Sequence, residues 1–373
     1  MVKSTFGKNL TVSLFGESHG AAIGVVIDGL AAGIPLDMAA IRKDLDFRRA
    51  TGAISTARQE GDEFEIVSGF FEGHTTGTPL CLMIRNTSTR SGDYARTKDL
   101  LRPGHADYTA FVKYGGWQDY RGGGHFSGRI TAPLVAAGAI CRQILAAHGV
   151  MIGTHIAECG GVADAPMPAD EAALAAALDR LNNTAFAVLD ADRGEEMQQA
   201  VLAAKADGDS VGGVLETAVI GMPAGIGEPF FNSVESTLAH LLFSVPAVKG
   251  VEFGAGFAFA GMRGSEANDP WRMQDGRLRT VTNNNGGING GISNGMPIVF
   301  RTVIKPTPSI YREQQTVDYA ARQDATLQIK GRHDPAIIHR ARVVIDAAAA
   351  IGLCELFCEA FGTAWQIDGI VNK

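Results

Sequence analysis

Cysteine is scarce and unpaired in this chain: there are five, an odd number, with no C-x-x-C among them. That excludes a disulfide framework and points to reduced thiols in a cytoplasmic setting. The nine histidines are scattered, with no H-E-x-x-H, so no metal site is read. There is no G-x-x-x-x-G-K-[ST] and no strand-linked G-x-G-x-x-G, which argues against a P-loop or a nucleotide-binding Rossmann domain. Positive charge is not in excess. The formal net charge is −7, so nucleic acid is not an expected partner. No uncharged apolar run reaches the ~20 residues of a spanning helix, and the first residues carry no apolar secretory core, so no membrane partner is expected either.

What is present is a globular composition with one outlier. Apolar residues make up 46% of 373, enough for a sizeable core, and charged residues only 20%. Glycine stands at 46, well above the usual ~7%. Many are clustered, at Gly122 to Gly124, Gly286-Gly287 and Gly290-Gly291. Such clusters make turns and bulges, and they also let backbone N–H groups approach phosphates or flat rings.

Pattern along the chain predicts strands at Thr11 to Phe15, Gly24 to Asp28, Glu65 to Gly69, Leu80 to Arg85, Gly213 to Ile220, Val251 to Phe259 and Pro297 to Ile304. Helices are predicted from Met38 to Arg49, Pro133 to His148 (capped by Thr131), Asp170 to Leu181, Asn232 to Phe243, and from Asp334-Pro335 to about Ala360. Residues 86–130 read mostly as a long loop, and loops of that length are usually functional. The stretch Gly161 to Ala169 reads as a surface loop, so residues 1–373 are taken as one domain. Long helices interspersed with hairpin-like strands suggest an α+β fold.

Two frames carry candidate chemistry. Gly16-Glu17-Ser18-His19-Gly20 places an imidazole beside a carboxylate, a pairing that suits a general acid. Arg102-Pro103-Gly104-His105-Ala106-Asp107 places a second imidazole after a turn, with Asp107 near enough to orient it. Each histidine could equally be a satisfied structural group, and so could His125 in the triple-glycine loop. Arg48 and Arg49 close the first helix, and Arg85, Arg90, Arg96, Arg102, Arg121 and Arg129 crowd the loop region. That density of guanidinium forks suits an anionic small molecule. Asp334 reads as a helix N-cap, as a member of the ionisable frame Lys330 to Asp334, or as both. Gly291-Ile292-Ser293-Asn294-Gly295 fits the G-x-S-x-G pattern, but a loop precedes it and a strand follows, so it is not read as a nucleophile elbow.

Together these frames resemble the chorismate synthase family, in blocks running from Thr5-Phe6-Gly7 to the final helix. Besides the two histidine frames, the blocks include Tyr120 to Gly124, Asp209 to Gly213, Ala247 to Glu252, Met262 to Ser265, Lys305-Pro306-Thr307 and Gly331 to Pro335. The resemblance implies antiparallel β-sheets sandwiching a helical core, and a homotetramer. It implies an anti-1,4-elimination of phosphate from 5-enolpyruvylshikimate 3-phosphate, giving chorismate, with reduced FMN as cofactor. By the same resemblance His19 is the acid at the leaving phosphate. His105 supports the reduced flavin, and Asp334, with Ser18, moves a flavin proton. Arg48, Arg49, Arg102 and Arg129 grip substrate anions. FMN is held by Ser18, His125, Phe126, Ser127, Pro246, Ala247, Gly290, Arg332 and the run Lys305, Pro306, Thr307, Pro308, Ser309.

The chain departs from the family's commonest pattern at several of these places. Gly-Gly-Gly-Arg-Ser-Ser-Ala-Arg-Glu-Thr becomes Gly122 to Thr131 with His125, Phe126 and Gly128, so a cation becomes a titratable imidazole. Pro246-Ala247 replaces an Asn-Ala pair. Ile54 stands where an arginine linked to pyridine nucleotide is common, which implies an external source of reduced flavin. The other class weighed is a non-catalytic flavin- or anion-binding protein.

Overall fold

Strict alternation and complete burial produce two different kinds of element here, and the computed structural model shows how they stack. It describes residues 4–50, 52–55, 61–87, 98–274, 276–329 and 333–368. The first sheet contains β1 (Thr5–Phe6), β2 (Thr11–Gly16), β3 (Ala22–Asp28), β4 (Phe64–Ser68) and β5 (Leu80–Arg85), in the order β1-β2-β3-β5-β4. The second contains β6 (Met151–Cys159), β7 (Val162–Ala163), β8 (Gly213–Ile220), β9 (Val248–Phe253) and β10 (Ile298–Ile304), in the order β7-β6-β8-β10-β9. All neighbouring strands in both sheets are antiparallel.

Helices pack against the sheets, some between them and one, over residues 171–181, on the outer face of the second. They are α1 (Met38–Arg48), α2 (Asp107–Tyr114), α3 (Thr131–Ala147), α4 (Glu171–Leu181), α5 (Ala191–Ala206), α6 (Val234–Ser244) and α7 (Ile338–Phe361). The central pair is α3 and α7; α3 touches β2, β3 and β5 of one sheet and β6 of the other. The apolar residues of α7 are buried on every side from Ile338 to Cys358, as a helix without a polar face must be. The result is the expected α+β sandwich with a helical core. Gly138 lets α3 and α7 meet, because a Cβ there would overlap Ala347. Gly138→Ala therefore forces the helices apart and costs about 1–3 kcal/mol, to be read from a denaturant midpoint; an unchanged midpoint contradicts this packing.

Charged groups on α7 tie distant chain segments together. Glu355 is buried, and its carboxylate accepts the backbone N–H of Lys8 at 2.8 Å and of Leu10 at 2.7 Å. Asp346, fully buried, accepts the Thr154 hydroxyl at 2.6 Å, and Thr154 in turn bonds Thr217 across β6 and β8. These contacts fix α7 against both sheets.

Several boundaries differ from the sequence reading. Asp334 does not cap α7. The Pro335 carbonyl is taken by the Val211 N–H at 2.8 Å, so the chain stays irregular until Ile338. Thr131 is the first residue of α3 rather than its cap, and its hydroxyl donates to the Gly128 carbonyl. The strand expected over Val251 to Phe259 is β9, which ends at Phe253; positive φ at Gly254 and Gly256 turns the chain into a short 3-10 segment. The Asp170 cap of α4 is present, with the carboxylate accepting the Ala173 N–H. Ser293 is buried, donating to the Pro223 carbonyl and accepting the Ile226 N–H, so its hydroxyl is structural.

Candidate active site

The β2–β3 turn carries His19, and its shape is set from behind by one amide. The Gly20 N–H bonds the Glu17 carbonyl at 3.0 Å. Asn86, just past β5, donates from its side chain to the carbonyls of both Glu17 and Gly20. The glycine loop closes over the imidazole. Gly124 accepts the Ser18 N–H, and a Cβ at Gly122 would collide with the His19 ring. At the next residue, Gly123, a Cβ would stand 3.1 Å from His105 Cε1. The two histidines, far apart in sequence, thus flank one stretch of glycine backbone. That is why bulk is excluded there.

His105 is held by its neighbours in the frame. Its Nδ1 lies 3.0 Å from Asp107 Oδ1, so Nδ1–H donates and Nε2 is left for other work. Arg102 forks onto the same carboxylate, from Nε at 2.8 Å and from Nη2 at 2.6 Å. Burial pushes the Asp107 carboxyl up, but the bonds from Arg102 and His105 outweigh it and hold it well below the usual carboxylate range. Arg102 is therefore a support for His105 as much as a cation of the cleft. The whole segment is docked on a hairpin formed by β11 (Gln314–Asp318) and β12 (Gln323–Leu327). Leu101 N–H bonds the Val317 carbonyl, Tyr319 N–H bonds Asp99, and the rings of Tyr108 and Phe111 meet Tyr319 edge-on. Lys305 Nζ donates to the Gly104 carbonyl at 2.6 Å, closing the loop from the other side.

His19 and His105 open into one cleft of about 1730 Å³, which Arg48, Arg49, Arg102 and Arg129 also line. Arg48 and Arg129 are nearly buried and share the carboxylate of Asp62, one oxygen each. Burial pushes the Asp62 carboxyl up, while the charges of Arg48 and Arg129 and their hydrogen bonds pull it below the ordinary value. Arg49 sits at the rim, paired with Asp46. Asp334 lines the cleft and accepts Arg340 Nη1 at 2.5 Å, and Arg340 Nε donates to the Arg48 carbonyl.

The cofactor residues read from the sequence divide into two groups. Ser127, His125, Phe126, Pro246, Ala247, Lys305, Thr307, Pro308 and Ser309 line the same cleft. Both ring nitrogens of His125 are engaged, Nδ1–H donating to the Gly16 carbonyl and Nε2 facing Ser4 Oγ, so this imidazole staples the glycine loop to the end of β2. Ala247 holds φ at +75°, a costly conformation for a residue with a Cβ. Ser18 is fully buried beneath Gly122, and neither it nor Pro306 lines the cleft. The structure does not bring Gly290 to the cleft: it turns the short hairpin between Ile288–Asn289 and Ile292–Ser293, beside the start of α6. Arg332, with Arg90 and Arg96, lies outside the described residues.

Three participants carried no sequence signal that was used: Asp62, Asn86 and Arg340. Arg340 could have been found, since it falls six residues after Asp334 at the start of α7. Asp62 and Asn86 stand alone in polar stretches, and only the fold brings them to the arginines.

The family model described as chorismate synthase matches residues 10–358 of this chain. The chain belongs to the chorismate synthase family. A chorismate synthase of Methanosarcina acetivorans is 45% identical over 356 residues, covering 95% of this chain and 96% of the relative. One from Chitinophaga pinensis is 46% identical over 352 residues, covering 94% and 96%. A crystal structure of chorismate synthase aligns over 98% of each chain with a TM-score of 0.76 at 27% identity. The resemblance carried by the histidine frames is thereby confirmed, and with it the membership of an enzyme family. The antiparallel sheets around a helical core are a fold shared with that chorismate synthase.

Proposed function

We propose that this cleft converts 5-enolpyruvylshikimate 3-phosphate to chorismate and inorganic phosphate by anti-1,4-elimination, with reduced FMN bound beside the substrate. The observation that carries the reading is the meeting of two imidazoles at one glycine loop, in a cleft walled by Arg48 and Arg129. A substrate with one phosphate and two carboxylates needs fixed cations, and guanidiniums held in place from behind supply them. His19 protonates the leaving phosphate. His105, its ring oriented by Asp107, would offer Nε2 to reduced flavin. Asp334, steadied by Arg340, takes up a proton on the same side.

The residues present fit the flavin. The cleft is large enough for a substrate and a flat cofactor together. Thr307 Oγ is buried with no hydrogen-bond partner among the described residues, on the segment expected to meet FMN. Phe126, Ser127, Ala247, Lys305, Thr307, Pro308 and Ser309 would hold the cofactor. When bound, reduced FMN would supply electron density that eases phosphate loss. We read the chain as a cytoplasmic homotetramer supplied with reduced flavin from outside. Exposed Phe230, Phe231 and Phe257 offer apolar surface for contacts between copies.

Anaerobic incubation with chemically reduced FMN and the substrate tests the proposal. The expected result is release of one phosphate per chorismate formed. No phosphate release, together with tight substrate-independent binding of oxidised FMN, would overturn it in favour of a flavin-binding protein without catalysis.

A further inference from the structure

Asp62 stands behind the cleft rather than in it. Its side chain is fully buried, whereas Arg48 and Arg129, the two groups it contacts, both line the cavity. Each carboxylate oxygen takes one guanidinium, Oδ2 that of Arg48 and Oδ1 that of Arg129. The backbone of Asp62 is itself clamped at φ +50°: Arg42 donates to the carbonyls of Gly61 at 3.0 Å and Asp62 at 2.9 Å. Two guanidiniums side by side repel, and a fixed carboxylate between them sets one separation. The arrangement continues past Arg129. Arg129 Nε donates to Asn86 Oδ1 at 3.2 Å, while the Asn86 amide group holds the carbonyls of Glu17 and Gly20. A chain of hydrogen bonds therefore runs from the anion grip to the turn that bears His19.

We propose that Asp62 is a positioning residue, fixing the spacing of the Arg48 and Arg129 guanidiniums, and that Asn86 transmits this register to the His19 turn. The inference rests on the elimination reading above. Anion grip and proton donor are set as one rigid unit, so the phosphate meets His19 only where the arginines place it. Charge alone does not achieve this. Removing the Asp62 charge makes the cleft more positive, yet leaves the two cations free to move apart.

The test compares the wild-type chain with Asp62→Asn and Asn86→Ala in the anaerobic assay, alongside calorimetric titration with inorganic phosphate. Asp62→Asn is expected to lower kcat roughly 10²-fold, as misplacement by about an ångström does. Its affinity for inorganic phosphate is expected to equal or exceed that of the wild type. Asn86→Ala is expected to lower kcat with little change in KM, because it disturbs the His19 turn while Asp62 still holds both guanidiniums. Parallel losses of phosphate binding and turnover in Asp62→Asn would mean collapse of the anion site and would overturn the positioning role. Should that variant not fold, Asn86→Ala decides, and undiminished kcat there overturns the proposal. A wild type without turnover sinks the elimination reading and this proposal together. Wild-type activity beside fully active variants sinks this proposal alone.

Discussion

His19→Ala is expected to lower kcat by about 10²–10⁴-fold, the usual worth of a positioned proton donor, while leaving substrate KM nearly unchanged. The split follows from the geometry. His19 is only 7% exposed and is closed in by the glycine loop, whereas the fixed cations belong to Arg48 and Arg129 on other elements. Removing the imidazole takes away a proton without taking away the anion grip. Small-to-large change at the neighbouring glycine acts on the same ring from outside: Gly122→Ala drives a Cβ into His19. The measurement is steady-state phosphate release under anaerobic conditions, with thermal unfolding recorded to confirm an intact fold. A variant retaining more than a tenth of wild-type kcat would remove His19 from the proton-donor role.

Arg129→Ala is expected to produce the largest loss of stability in the site, about 3–5 kcal/mol. It leaves the fully buried Asp62 carboxylate with Arg48 as its remaining guanidinium partner among the described residues, and it cuts the link to Asn86. The pH dependence has a defined sign. The Asp62 carboxyl is held below its ordinary value of ~3.9 by the two arginines, so their stabilisation is fully present above that value. It is lost only as pH falls through the depressed folded value. The wild type and the variant should therefore differ by a constant amount from neutral pH down to about pH 5, and converge in stronger acid. Adding Asp62→Asn to Arg129→Ala should recover part of the loss, since the buried charge is then gone. Urea unfolding of the single and double variants measures both effects. Additive losses in the double variant would contradict a direct pairing.

Much of this architecture is legible from residue pattern, and the gaps have physical causes. β8 is read at its true limits because glycines at 212–213 and 221 bracket its β-branched and apolar run, and α4 is found because Asp170 announces it. β6 escapes because it is buried on both faces for most of its length and shows no alternation. α5 escapes because its apolar stripe is reduced to Met197 and Val201 beneath a polar first half. α2 is hidden in what looks like continuous loop. In the site, His19, His105 and the arginines are visible because each sits in a frame of turn-forming and charged residues. Asp62 is invisible for the opposite reason: its partners lie 14 and 67 residues away, and no local spacing hints at them. The reach of Asp334 toward a capping role also misleads, since a backbone bond from Val211 redirects the chain at Pro335.

The grip of Glu355 on residues 8–10 has a consequence for how the enzyme comes into being. The strand that leads into the His19 turn is anchored by a carboxylate some 345 positions downstream. During synthesis the segment leading to His19 lacks this anchor until residue 355 has left the ribosome. Contacts between such distant partners form slowly, so this anchor is a late one.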